Sequence, residues 1–279
     1  MTMRLLKTGL LTLGLLTAGM AAAALPTRGI CAHRGNDGKM PENTTLAWAN
    51  AVKLGADMVE MDVHRCRTGE LVIMHDATVD RTTNGKGKVS ELTFDEIRAL
   101  QANFRKGKPI PGCPAVKVPT FDEAIESIPK DAKVWINCHC ADNTAVEVAK
   151  IIKAKGRLSQ AFIATGLKAI AKARREVPEI LACNMSRPYR GVDAYHKPWP
   201  PELSAQYARE TVEHKCQFIQ LLAPCSPADV KLMHDAGVKI SYFHCEKPEK
   251  VKALVDLGVD FILTDNLLPM QAAFREATK

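Results

Sequence analysis

Residues 133–185 read KVWINCHCADNTAVEVAKIIKAKGRLSQAFIATGLKAIAKARREVPEILACNM. Three short apolar runs, KVWINCH, QAFIAT and EILACNM, are separated by TAVEVAKIIKAKG and LKAIAKARREV, in which apolar residues recur every three to four positions. Parallel strands cannot be joined by a tight turn, so this alternation predicts a parallel sheet with helical crossovers. It continues in both directions. Upstream are the runs GICAHR, MVEMDVH and ELVIMH with the helical stretches ENTTLAWANAVKLG and FDEAIESI. Downstream, QFIQLL, KISYFH and FILTD alternate with ELSAQYARETVEHK, SPADVKLMHDAG and EKPEKVKALVDLG. So many units in one domain predict an α/β fold closed into a TIM-type (β/α)8 barrel rather than an open sheet.

The pattern breaks twice. MVEMDVH and ELVIMH are joined only by RCRTG, too short for a helical crossover, and residues 77–118 form a Gly- and Pro-rich excursion. The excursion is predicted to be a loop-rich insertion flanking the mouth of the barrel, where functional loops of this architecture gather. Nine strand candidates exceed eight, so one is expected to lie outside the regular barrel.

With 279 residues and 46% hydrophobic content the chain can bury a substantial core. Residues 1–24 carry Arg4 and Lys7, then an uncharged run ending in Ala22-Ala23-Ala24, which has the form of a cleavable secretory signal peptide ahead of a barrel domain over residues 25–279. The expectation is an exported protein, periplasmic or secreted, with no stable membrane span once the leader is removed. Only those two of the 38 basic residues fall in the leader, leaving 36 against 31 acidic ones, a net of +5. A surplus of that size slightly favours anionic substrates. No basic tract or interleaved aromatic ladder suits nucleic acid. Of the nine cysteines, Cys66 and Cys113 fall in predicted loops where a bridge is conceivable, while Cys31, Cys138, Cys183 and Cys245 sit in apolar strands as small buried hydrophobes. Oligomeric state is not legible.

The chemistry-bearing residues lie in the first half. His33-Arg34-Gly35 closes one strand, Glu60 and Asp62 share parity on the next, and His75 ends a third. Two imidazoles can divide proton donation and removal between them. The two carboxylates, with Cα atoms roughly 6.6 Å apart at the usual strand rise, repel by about 2.5 kcal/mol at an effective dielectric of 20. Facing a lumen they need a cation or basic partners, and oxygen ligands suit Ca²⁺ or Mg²⁺. Cys138 and Cys140 have the parity opposite to Asn137 and His139, so a Cys-x-Cys metal site is not expected. His64, His196, His214 and His234 fall on predicted turns or helix surfaces and are read as structural.

The triplet HRG, the run PENT opening a helix, the pair EMD, the pair HD and the following RTTNG occur in this order through the first third, and GVDFILTDNLLP closes the chain. Together they resemble the glycerophosphodiester phosphodiesterase family over residues 29–267. The resemblance implies a barrel that hydrolyses glycerophosphodiesters, small-molecule substrates, to glycerol phosphate and an alcohol. It implies His33 and His75 as the acid–base pair, Glu60 and Asp62 as metal ligands and Arg34 on the substrate phosphate. The family usually carries Glu-x-Lys on the fourth strand of the run, where this chain has Asn137 and His139. That departure gives Asn137 a neutral oxygen for the metal and His139 a pH-dependent proton for the phosphate. Two other readings remain open: a phospholipase D-like lyase of the same superfamily that releases a cyclic phosphate, and a non-catalytic periplasmic binder of phosphorylated or polyol ligands.

Overall fold

Eight strands close into a parallel barrel in this computed structural model, which describes residues 24–35, 38–186 and 199–279. The strands in chain order are β1 (Gly29–Ala32), β2 (Met58–Arg65), β3 (Leu71–Ile73), β4 (Phe104–Arg105), β5 (Lys108–Pro109), β6 (Trp135–Cys140), β7 (Ala161–Thr165), β8 (Leu181–Asn184), β9 (Phe218–Leu221), β10 (Lys239–Tyr242) and β11 (Phe261–Thr264). The barrel runs β1, β2, β6, β7, β8, β9, β10, β11 and back to β1. β3 is the ninth candidate that the sequence could not place. It folds back antiparallel on β2, with Val63 opposite Ile73, because five connecting residues allow a hairpin and nothing longer. All seven predicted helical stretches form, from α1 (Thr45–Lys53) through α3 (Phe121–Glu126), α4 (Ala145–Ala154), α5 (Leu167–Glu176), α6 (Pro201–Glu213), α7 (Pro227–Asp235) and α8 (Val251–Asp256). Two helices were not anticipated, α2 (Phe94–Arg98) in the insertion and α9 (Leu267–Ala277) at the end of the chain.

The barrel strands sort their residues by parity. Val59, Met61 and Val63 of β2 and Ile136, Cys138 and Cys140 of β6 face outward into the main core beneath the helices. Cys31, Met58, Phe162, Cys183, Phe218, Phe261 and Leu263 form a separate cluster inside the barrel. Phe162 stacks on Phe218 with ring centroids 4.0 Å apart, Trp135 meets Phe218 edge-on at 5.2 Å, and the Trp135 Nε1–H donates to the Pro26 carbonyl. Aromatic side chains therefore fill one end of the lumen, and the polar residues Glu60, Asn137 and Gln220 lie further along the same inward faces.

Residues 77–118 are less irregular than their composition suggests. Val79, Val89, Ile97, Ala102 and Val118 pack with Cys66, Val72 and Met74 into a small apolar core of their own, and α2 begins with a capping box between Thr93 and Glu96. The nine cysteines are free thiols, Cys66 and Cys113 among them. The leader expected over residues 1–24 lies, apart from Ala24, outside the described residues, as does His196. Among the described residues no helix is long and apolar enough to cross a membrane.

Candidate active site

The HRG triplet ends β1 in a tight left-handed turn. Arg34 adopts left-handed φ and ψ of 56° and 25°, and Gly35 follows with φ of 68°. A Cβ on Gly35 would stand 2.6 Å from Cδ1 of Trp48, so a side chain there would expel α1 from the barrel. Trp48 in turn donates its indole N–H to the Glu60 carbonyl at 2.9 Å, which pins α1 to β2 beside the carboxylate. Asn43, also left-handed with φ of 58°, brackets Asp62: its Nδ2 donates to Asp62 Oδ2 at 2.8 Å and its Oδ1 accepts from the Asp62 amide. The PENT run is thus the back wall of the site as well as the entrance to α1.

Glu60 and Asp62 are 2% and 5% exposed, inside the barrel. One oxygen of each is held from behind, Glu60 Oε2 by the Arg34 amide at 2.8 Å and Asp62 Oδ2 by Asn43. The other oxygens face His139, whose Nδ1 lies 3.2 Å from Asp62 Oδ1 and 3.6 Å from Glu60 Oε1. Register explains the convergence, since Glu60 pairs with Asn137 and Asp62 with His139 across β2 and β6. Burial disfavours a charge on His139, but the two carboxylates override it and push its pKa up to about 9. Burial likewise works against Asp62, yet the contact with His139 and the charges of His139, His75 and Arg34 hold its carboxyl well below the usual range.

Each of the two strand-end imidazoles has its own carboxylate. His33 Nδ1 is 3.0 Å from Asp265 Oδ1, and His75 Nδ1 is 2.7 Å from Asp76 Oδ1. Burial of His33 opposes its charge, and the Asp265 hydrogen bond with the field of Glu60 outweighs it, raising the pKa. Asp265 is itself anchored, its amide donating to Glu246 Oε1 at 2.8 Å. Behind Asp76 stands Arg81 of the RTTNG run. Its Nε and Nη2 donate to Asp76 at 2.7 and 3.0 Å, while Nη1 and Nη2 donate to Glu42 at 2.7 and 2.8 Å. Glu42 also accepts from Arg34 Nη1 at 2.8 Å. A chain of alternating charges therefore runs from Asp76 through Arg81, Glu42 and Arg34 to Asp62, with His75 hydrogen-bonded to its first member.

His33, Glu60, Asp62, His75 and His139 line one cavity together with Gln220, Phe243 and Leu263. Of the residues singled out by sequence, Arg34 and Asn137 do not line it. Arg34 turns its guanidinium onto Glu42 and toward Asp62, with Nε 3.6 Å from Asp62 Oδ2. Asn137 is buried beside Glu60, and its Oδ1 has no hydrogen-bond partner. His139 is a third side chain on the carboxylate pair and lines the same cavity. Donor atoms of Glu60, Asp62 and His139 lie within 4.8 Å of one another, and with the orphaned Asn137 oxygen in the adjoining position this donor set fits a divalent cation. Sequence reading missed Asp265, Glu42, Asn43, Arg81, Gln220, Phe243 and Glu246. Asp265 was the most findable, being an acidic residue at the C-terminal end of a barrel strand. His64, His214 and His234 bond to the His75 carbonyl, the Glu210 carbonyl and Asp260 and do not line the cavity.

Fold and site together define a TIM barrel whose strand ends present paired imidazoles over a cation-competent carboxylate pair. The family model of the glycerophosphoryl diester phosphodiesterases matches residues 33–268, and the chain belongs to that family. A glycerophosphodiester phosphodiesterase of Caldanaerobacter subterraneus is 44% identical over 99 residues, 36% of this chain and 40% of that protein. One from Bacillus subtilis is 38% identical over 116 residues, 40% of each. The matched segment thus spans about two fifths of the curated relatives' length. In fold, a glycerophosphodiester phosphodiesterase of Agrobacterium tumefaciens gives a TM-score of 0.66 at 23% identity, covering 88% of this chain and 99% of that one. An Oleispira antarctica phosphodiesterase solved with the product sn-glycerol-3-phosphate gives 0.68 at 22% identity, covering 90% and 97%.

Proposed function

We propose that this chain is a phosphoric diester hydrolase that cleaves glycerophosphodiesters to glycerol phosphate and an alcohol. The observation that carries the reading is the convergence of two carboxylate-held imidazoles and the Glu60/Asp62 pair on one cavity. Family membership and the glycerol phosphate bound by the Oleispira protein support the substrate class.

Asp265 and Asp76 each occupy the Nδ1 of their histidine, fixing ring orientation and leaving Nε2 as the nitrogen for proton exchange. One imidazole takes the proton of the attacking hydroxyl or water, and the other returns a proton to the departing alkoxide. Phe243, edge-on to His33 with centroids 5.2 Å apart, holds that ring against rotation. Arg34 secures both carboxylates, through its amide on Glu60 and its side chain near Asp62. A divalent cation held by Glu60, Asp62 and the donors on β6 would polarise a phosphoryl oxygen and offset the charge that develops there.

The test is phosphorus NMR of the protein incubated with a panel of glycerophosphodiesters and each of several divalent ions. A phosphomonoester product supports the hydrolase. A cyclic phosphate as the final product identifies a lyase instead, and ligand binding without turnover under every ion identifies a binder.

A further inference from the structure

The third side chain on the carboxylate pair is an imidazole, and this changes which ion the site suits. We propose that Glu60, Asp62 and His139 Nδ1 form a mixed nitrogen–oxygen site for a borderline divalent cation, Co²⁺ or Zn²⁺, in preference to the Ca²⁺ or Mg²⁺ expected from oxygen ligands alone. The inference rests on the reading that the carboxylate pair holds a cation at all.

Geometry supports a single ion reaching all three donors. Bonds of about 2.1 Å to nitrogen and oxygen place neighbouring donors roughly 3.0 Å apart at octahedral angles and 3.4 Å at tetrahedral ones. The His139 nitrogen stands 3.2 and 3.6 Å from the two facing oxygens. Those oxygens are already aimed, because Asn43 and the Arg34 amide hold their partners from behind. A second, independent feature points the same way: the Oδ1 of Asn137, 1% exposed and in register with Glu60, lacks any hydrogen-bond partner and is a ready fourth donor.

Donor chemistry then selects the ion. Ca²⁺ takes six to eight oxygens and gains affinity with each added carboxylate, and Mg²⁺ binds through oxygen with several waters retained. Here the protein offers two carboxylates, one amide oxygen and one imidazole. Imidazole nitrogen adds little for the hard ions and much for Co²⁺ and Zn²⁺. The nitrogen donor therefore makes up for the single anionic charge that a third carboxylate would have supplied.

The experiment is binding rather than turnover, on the full chain stripped of metal by chelation. Calorimetric titration with Co²⁺, Zn²⁺, Mn²⁺, Mg²⁺ and Ca²⁺ is paired with nitrogen-15 NMR of the imidazoles. The expected result is binding of Co²⁺ and Zn²⁺ at least about tenfold tighter than Mg²⁺ or Ca²⁺. Zn²⁺ should also shift one Nδ1 resonance that is absent in His139→Gln, with the His33 and His75 signals reporting that the variant keeps its fold. In His139→Gln the preference should shrink while Mg²⁺ affinity stays nearly constant. Equal affinity for Mg²⁺ and Co²⁺, or Zn²⁺ bound with the His139 nitrogen unmoved, overturns the mixed-donor site and leaves the cation reading standing. Failure of every ion to bind sinks both.

Discussion

Arg81→Met should show how far the acid–base pair depends on a residue that does not line the cavity. Arg81 makes four hydrogen bonds, two to Asp76 and two to Glu42, and without it Asp76 keeps its bond to His75 and Glu42 its bond from Arg34 Nη1. A hydrogen bond to a charged group is worth about 1.5–3 kcal/mol when water is excluded. The side chains of Arg81 and Asp76 are 31% and 29% exposed and that of Glu42 is 14%, so water recovers part of the loss. Counting each carboxylate once at the low end gives about 3 kcal/mol, or roughly 6–12 °C in Tm for a domain of this size. The Arg81 hydrogen bonds are the main reason that the Asp76 pKa falls to about 2. A carboxylate depressed in the folded state stabilises above its unfolded pKa and loses that contribution as pH falls through the folded value. The deficit of the variant should therefore be full at neutral pH and shrink between about pH 4 and pH 2. Turnover should fall about tenfold to a hundredfold as His75 loses its fixed ring. Arg81→Lys, which keeps the charge without the fork, should recover less than half of the stability deficit. Urea unfolding across this pH range and steady-state turnover are the measurements. A methionine variant within about 1 kcal/mol of the parent at pH 7, with turnover within twofold, would refute the chain of charges as a working unit.

His33→Ala and His75→Ala should each lower turnover by about 10² or more while unfolding at nearly the parent temperature, and a folded variant with parental turnover removes that histidine from the mechanism. Asp265→Asn removes the negative charge that the His33 Nδ1–H faces and leaves the burial of His33 in place, so the corresponding limb of the pH–rate profile should move to lower pH whichever proton His33 handles. The raised pKa stabilises the fold below the unfolded value and loses that contribution as pH rises through the folded one, so Asp265→Asn should cost stability mainly in acid; an unmoved limb counts against the dyad. Chelation should abolish turnover, and Glu60→Gln or Asp62→Asn should raise the metal concentration that restores it; full activity after exhaustive chelation excludes a role for the ion.

The sequence by itself determined the barrel, because its physical cause is local. Strand runs of four to eight residues and crossover helices of period 3.6 leave few arrangements, and the parity of Glu60 and Asp62 against Val59, Met61 and Val63 already fixed which face held the charges. Parity also placed Cys138 and Cys140 outward under the helices. The motif order carried family membership, since five short runs at these spacings are improbable apart. Tertiary structure decided the partners. Asp265 reaches His33 across 232 residues, and Arg81 reaches Glu42 across 39, distances that no periodicity encodes. The β2–β3 hairpin set His75 beside Asp62, through the hydrogen bond from the Met74 amide to the Asp62 carbonyl. Register between β2 and β6 set His139 against the carboxylate pair. Pattern along a chain specifies which side of an element is buried, while the chemistry of a site depends on which buried sides meet, and that is fixed only when the barrel closes.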